Sequence, residues 1–306
     1  MNVNKSNWGF LILFLFFGSN IIAQQDPLYT QYIFNPLEVN PGYAGSREAL
    51  SAVLTHRSQW IGIDGAPVTQ NLAIHAPTKN GKMGLGMQII NDAIGPKNTL
   101  SASLVYAYRL RVGQGKLAFG LRGGLYNYRF NWDQLEYQNQ NDNVILVGAS
   151  SKTTPNFDFG VYYNTKLFYA GLQIAHLNRP DLSFSDSSST FLRPHSTLTV
   201  ARAFEINENV VFRPSLLMRA APKNVGTVDV NLSLLFNNTI WCGLSLRSNY
   251  GLAGIIEMNI TDHFRAGLSY DYALNGLRGQ TGGSLELFIG YDFKIYNQKM
   301  ASPRYF

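Results

Sequence analysis

Apolar and polar side chains alternate along this chain in about fourteen short segments, each bounded by Gly, Asn or Pro. The segments fall at 49–58, 67–76, 82–91, 98–110, 115–127, 155–164, 166–177, 195–204, 208–219, 227–237, 239–248, 251–260, 263–272 and 283–293. In the last of them Leu285, Leu287, Ile289, Tyr291 and Phe293 share one face, and Glu286, Phe288, Gly290 and Asp292 share the other. The period of two in a strand makes the first a face for lipid and the second a face for water. The connections alternate as well. Tight hairpins are predicted at 78–81, 164–165, 237–238 and 261–262, and longer links at 58–66, 128–154, 178–194, 220–226 and 273–282, with 91–97 and 248–250 short for the long-link side. Short turns on one side and long loops on the other are the habit of outer-membrane barrels, whose chain termini lie in the periplasm with the short turns. The pattern therefore predicts an all-β fold, a transmembrane antiparallel β-barrel of about 14 strands in the outer membrane. A secreted sandwich uses the same alternation, but this chain has too many strands for one sandwich, no sign of a second domain, and aromatic residues near strand ends where barrels carry girdles.

The first residues read differently. Lys5 supplies a positive region, Phe10 to Phe17 a short apolar core, and Ile21, Ile22 and Ala23 close it before a polar stretch. That is the order of a secretory signal peptide, with cleavage expected after Ala23. The competing reading, a membrane anchor, needs a longer apolar core and a stop-transfer flank. The expected organisation is a signal peptide at 1–23, a periplasmic or plug segment at 24–48, the barrel at 49–294 and a periplasmic tail at 295–306.

Charge adds one feature to this picture. The formal balance of +6 is modest and implies no nucleic-acid partner. The charges that lie within strands are more informative. Arg109, Arg122, Arg213, Arg219, Arg247 and Arg265, with Asp158, Asp229, Glu257, Asp271, Glu286 and Asp292, all take the polar parity of their segments. An Arg facing lipid near the midplane costs roughly 2–4 kcal/mol, which assigns these residues to the lumen. They form either an ion-paired network that stiffens the interior or the lining of an Arg-selective pore, and the presence of both signs favours the network. The single cysteine, Cys242, excludes an intrachain disulfide and takes the lipid parity of Leu244 and Leu246.

Candidate chemistry is sparse. His56, His75, His176, His195 and His263 stand on separate segments or segment ends with no recurring spacing. HExxH, GxSxG and clustered Cys and His ligands are absent, so no catalytic residue, no metal ligand and no cofactor is predicted. The polar loop Asn139–Asn143 lacks the register of a calcium loop. Gly84 with Gly86, and Gly120 with Gly123 and Gly124, sit inside strands with no helix to follow, where glycine allows a bend or close packing.

Two stretches are not explained by barrel physics: QQDPLYTQYIFNPLEVNPGYAGSREA at 24–49, and RSQWIGIDGAP at 57–67. With the GLG of Gly84–Gly86, the NDAIGP of Asn91–Pro96 and the YAYRL of Tyr106–Leu110, the chain resembles the PorP/SprF family of type IX secretion membrane proteins over nearly its whole mature length. It departs from a barrel that ends on its last aromatic by continuing past Phe293 to SPRYF at Ser302–Phe306. The resemblance implies a non-enzymatic outer-membrane barrel embedded in lipid. Its role would be to support the export, retention or surface anchoring of proteins that carry type B C-terminal sorting domains, gliding adhesins among them. A small-solute channel and an outer-membrane hydrolase are the alternatives.

Candidate partner-binding positions follow from the resemblance and the loop assignment together. Trp60, Ile61, Ile63, Asp64 and Ile94 belong to links on the outer side and form either a docking surface for the exported protein or a lid over the barrel mouth. Tyr29, Tyr32, Phe34, Pro36 and Tyr43 precede the first strand, and prolines among them disfavour regular structure. They are expected to plug the inner end of the barrel and to meet a periplasmic partner, such as the peptidoglycan-linked or motor components that the family implies.

Overall fold

The computed structural model describes residues 26–136, 147–184, 190–221, 224–295 and 305. The expected signal peptide, the Asn139–Asn143 loop and most of SPRYF lie outside them.

Fifteen strands form one antiparallel sheet: β1 (Leu50–Ser58), β2 (Val68–Pro77), β3 (Met83–Ile94), β4 (Lys97–Val112), β5 (Gly115–Asn131), β6 (Ala149–Asn164), β7 (Phe168–Ala175), β8 (His195–Arg202), β9 (Phe204–Asn207), β10 (Val210–Ala221), β11 (Asn224–Phe236), β12 (Ile240–Arg247), β13 (Gly251–Asn259), β14 (Phe264–Ala273) and β15 (Ser284–Phe293). Only Ala203 separates β8 from β9, and its N–H bonds to the Leu167 carbonyl, so the two are one strand with a kink. The sheet thus has fourteen staves, as the alternation predicts. It closes on itself because β1 pairs with β15 from Leu50↔Phe293 to Ser58↔Leu285, which leaves no free edge.

Parity holds throughout. On β15, Leu287, Ile289, Tyr291 and Phe293 are exposed to the outside while Glu286, Phe288 and Asp292 are buried within. Leu244, Leu246, Ile256 and Leu268 continue the apolar band, and Cys242 is exposed on it. Arg109, Arg122, Arg213, Arg219, Arg247, Arg265, Asp229, Glu257, Asp271 and Glu286 are all buried inside.

The main departure is in strand length. The predicted 128–154 loop is shortened at both ends, because β5 runs on to Asn131 and β6 starts at Ala149. Residues 149–154 are polar on both faces and so carry no alternation. Besides its backbone ladder, polar side chains hold the hairpin: Trp132 Nε1 donates to Ser150 Oγ at 2.9 Å, and Asn127 Nδ2 donates to Ser151 and Thr153. Ile94 likewise ends β3, paired with Lys97, so the β3–β4 turn is only Gly95–Pro96.

Candidate functional site in the plugged lumen

A barrel of this strand number is too wide for its own side chains to fill, since that is the property of about eight strands. Residues 26–47 occupy the space. The start of β1 and the end of β15 lie at one end, taken as the inner end because the long connections emerge at the other. From the inner end the segment runs back through the lumen to Asp26 at the outer mouth, between His176 and His195.

The segment turns by local means. Pro36 and Pro41 each open a short 3-10 turn, Pro36–Glu38 and Pro41–Tyr43, where the missing proline N–H costs nothing. Asn40 Oδ1 accepts the Gly42 N–H at 2.8 Å, and Asn40 Nδ2 donates to the Val161 carbonyl at 3.0 Å. The remaining backbone groups are met by the wall. The Thr30 and Gln31 N–H groups donate to the two Glu286 oxygens, each at 2.8 Å. Arg247 donates to the Tyr29 carbonyl at 2.9 Å and Arg122 to that of Leu37. Near the inner end His75 Nδ1 accepts from Gly45 N at 2.9 Å, and Arg109 donates to the Gly45 carbonyl at 2.5 Å.

The same wall charges pair with one another. Arg57 bonds Asp271 and Glu286, Arg247 Nε sits 2.9 Å from Asp229, Arg265 lies 3.2 Å from Glu257, Arg122 3.1 Å from Asp158, and Arg47 of the plug 2.8 Å from Asp292. The network reading of these residues therefore describes the lumen better than a free Arg lining does. Three residues are used otherwise, Arg109 among them, which donates to the Gly45 and Met83 carbonyls. Arg213 lies 3.9 Å from the Trp241 ring centroid and 5.0 Å from that of Phe34, and it donates to the Tyr305 carbonyl at 2.5 Å. Arg219 has a buried Nη1 with no hydrogen-bond partner.

Aromatic packing fills the rest. Phe34 rests against Trp241 and Phe288, and Tyr43 meets His75 and Tyr162 edge-on at 5.3 and 5.5 Å. Where chain and wall touch without side chains, glycine makes the room: a Cβ on Gly120 would lie 2.2 Å from Gly42 N, and one on Gly84 1.9 Å from the Ala44 carbonyl oxygen. Tyr29, Tyr32, Phe34, Pro36 and Tyr43 are buried along the length of the lumen. This corrects the expectation that they gather at the inner end, because carboxylate and guanidinium groups at every level of the wall receive the segment's backbone. Tyr305 of the tail sits in the same aromatic cluster as Phe34 and Trp241, and its hydroxyl donates to Glu205 at 2.7 Å.

The outer loop 59–67 is tied to its neighbours. Trp60 N donates to Ser284 Oγ at 3.1 Å, Ile61 and the 282–283 backbone exchange hydrogen bonds, and Gly95 N donates to the Gly65 carbonyl at 2.8 Å. Trp60 and Ile94 are half-buried, so they do not form the exposed apolar cluster expected of them. Ile61, Ile63 and Asp64 are exposed.

A cavity of about 80 Å³ remains between the plug and strands β3 to β8. Asp26, His176 and His195 line it, with the carboxyl groups of Glu38, Asp92 and Asp158 and the guanidinium groups of Arg122 and Arg219. Tyr126, Leu182 and Leu192 form a small apolar cluster beside it. Burial pushes the Asp26 carboxyl up, but the imidazoles of His176 and His195 hold it well below the usual carboxylate range. Burial alone lowers His176, and Asp26 reverses the sign, leaving it raised. The expectation that the histidines stand apart holds for His56, His75 and His263 and fails for this pair. His176 and His195 flank one loop, at the paired ends of β7 and β8, a signal that the chain already carried.

A family model described as type IX secretion system membrane protein PorP/SprF matches residues 21–291. No curated protein matches the chain. Among solved structures, the CymD monoaromatic hydrocarbon channel is similar with a TM-score of 0.51 at 9% identity, over 89% of this chain and 95% of that one. The Ralstonia pickettii toluene transporter TbuX is similar with a TM-score of 0.50 at 11% identity, over 87% and 94%. At such identities the likeness concerns the barrel fold alone.

Proposed function

Because this chain belongs to the PorP/SprF family of type IX secretion system membrane proteins and folds as an outer-membrane barrel, we propose that it holds or passes exported proteins at the cell surface without chemistry of its own. It supports export, retention or anchoring of substrates with type B C-terminal sorting domains, gliding adhesins among them, and its inner end meets periplasmic type IX secretion or peptidoglycan-linked components. The observation that carries this reading is the filled lumen. Residues 26–47 run from mouth to mouth, held by buried carboxylate and guanidinium groups at each level. A porin for small solutes needs a continuous aqueous path, and this segment stands in it. With the interior occupied, the surfaces left for a protein partner are the rims. At the outer rim Ile61 and Ile63 are exposed on a loop that hydrogen bonds hold in place.

Native-membrane purification tests this directly. A surface protein should remain bound through its C-terminal domain, and the purified barrel should be silent in planar bilayers. Steady ion conduction with no bound protein would instead favour the channel.

A further inference from the structure

The cluster at the outer mouth has the donor set and the spacing of a transition-metal site. Asp26 Oδ1 and Oδ2 lie 3.0 and 3.2 Å from His176 Nε2, and Asp26 Oδ2 lies 3.4 Å from His195 Nε2. One ligand atom from each residue falls within 4.8 Å of the other two. Zinc bound tetrahedrally at about 2.0–2.1 Å sets its ligands roughly 3.3–3.5 Å apart, so small side-chain rotations complete the site. Two imidazoles and a carboxylate suit a late first-row divalent ion, whereas calcium and magnesium want oxygen donors only.

His176 is also held from behind. Asn156 Nδ2 donates to Asp158 Oδ1 at 3.2 Å, which turns its own Oδ1 toward His176 Nδ1 at 2.8 Å. His176 therefore donates its Nδ1–H to Asn156, and Nε2, whose N–H meets the Asp26 carboxylate, is the nitrogen whose proton a metal would replace. An amide or carboxylate that fixes a ligand histidine in this way is the usual support of a metal site. Around the cluster the cavity presents three further carboxyl groups, Glu38, Asp92 and Asp158, with the guanidinium groups of Arg122 and Arg219. It also leaves room for a water in the fourth position.

We propose that Asp26, His176 and His195 bind one divalent transition-metal ion, zinc or a close analogue, which clamps the leading end of the plug to the β7–β8 wall. The ion joins residues 150 and 169 positions apart in sequence, where no strand ladder connects them. Its role is structural: it decides how readily residues 26–34 leave the lumen.

The test uses the full mature chain, purified in detergent with a tag free of histidine, in a Cys242→Ser background that removes the one thiol. Zinc chloride is titrated calorimetrically, and cobalt is used in parallel for its visible absorption. We expect one zinc per chain and the intense bands of four-coordinate cobalt. His176→Ala and His195→Ala should each weaken binding by at least about 100-fold, and Asn156→Ala, which leaves all three ligands, by about 10–100-fold. Zinc should also slow proteolysis of the plug, and a chelator should reverse that. Heat-modifiable gel mobility confirms that each variant is a closed barrel, and Asp26→Asn serves where a histidine variant does not fold. Equal zinc binding by wild type and the His176→Ala/His195→Ala double variant would overturn the proposal. So would a wild-type chain that takes up no zinc at millimolar concentration.

Discussion

Glu286 is the strongest single anchor of the plug, and its removal should open the outer half of the lumen without opening the barrel. Its carboxylate is fully buried and accepts the Thr30 and Gln31 N–H groups at 2.8 Å each, together with Arg57 Nη1 at 3.1 Å. Hydrogen bonds to a charged group contribute about 1.5–3 kcal/mol each, so Glu286→Ala withdraws roughly 3–6 kcal/mol of plug binding through the two backbone bonds. At about 1.4 kcal/mol per tenfold, undocking becomes roughly 10²- to 10⁴-fold more frequent. The wall should survive. Arg57 keeps Asp271, and residue 286 stays paired with Arg57 on β1 and Ser269 on β14 through its backbone. Hydrogen exchange reads the effect at the two amides concerned. Exchange at residues 28–34 should accelerate by that factor while β15 amides stay protected, and planar bilayers should show transient openings. Wild-type exchange at Thr30 and Gln31 in a folded Glu286→Ala barrel would refute the reasoning. The segment would then be held by the packing of Phe34 on Trp241 and Phe288 rather than by the carboxylate.

Four further outcomes follow from the geometry. Gly120→Val places a Cβ where the Gly42 backbone passes, and the overpacking should cost about 1–3 kcal/mol and raise conductance, measured by urea unfolding in lipid and by bilayer recording. Asp229→Ala leaves the buried Arg247 without its carboxylate partner and should destabilise by about 3–5 kcal/mol, whereas Leu268→Arg on the lipid face should cost roughly 2–4 kcal/mol, both read from the same unfolding curves. Trp60→Ala should reduce surface retention of the exported protein, because the half-buried indole braces the loop that presents Ile61 and Ile63; unchanged retention counts against a docking role for that loop.

The barrel was legible because every strand obeys a local rule. One residue in two must be apolar where lipid is outside, and no distant partner is needed to see it. β15 and the charge parity of β5, β10, β12 and β14 could be read for that reason. The start of β6 could not, since polar residues on both faces of 149–154 erase the signal. The plug obeys no period. Thr30 and Glu286 are 256 positions apart, and nothing near Thr30 names its acceptor. Its prolines announce irregular backbone but not where that backbone lies. The metal cluster was hidden in part for the same reason: Asp26 lies far from the hairpin whose paired ends bring His176 and His195 together.

One trace of the plug was nonetheless present in the strands. Gly84, Gly120 and Gly160 take the inward parity of their segments, on β3, β5 and β6, and so project nothing into an interior already too wide for side chains to fill. Each faces the plug within 2.2 Å of a would-be Cβ: Ala44 oxygen, Gly42 nitrogen and Asn40 Oδ1 in turn. Inward side chains lost on several neighbouring strands leave an emptiness that the wall cannot fill, so something outside the alternating pattern must. In a chain with one irregular, proline-punctuated stretch ahead of its first strand, that stretch is the filler, and inward glycine on β3, β5 and β6 marks the path of its backbone through the barrel.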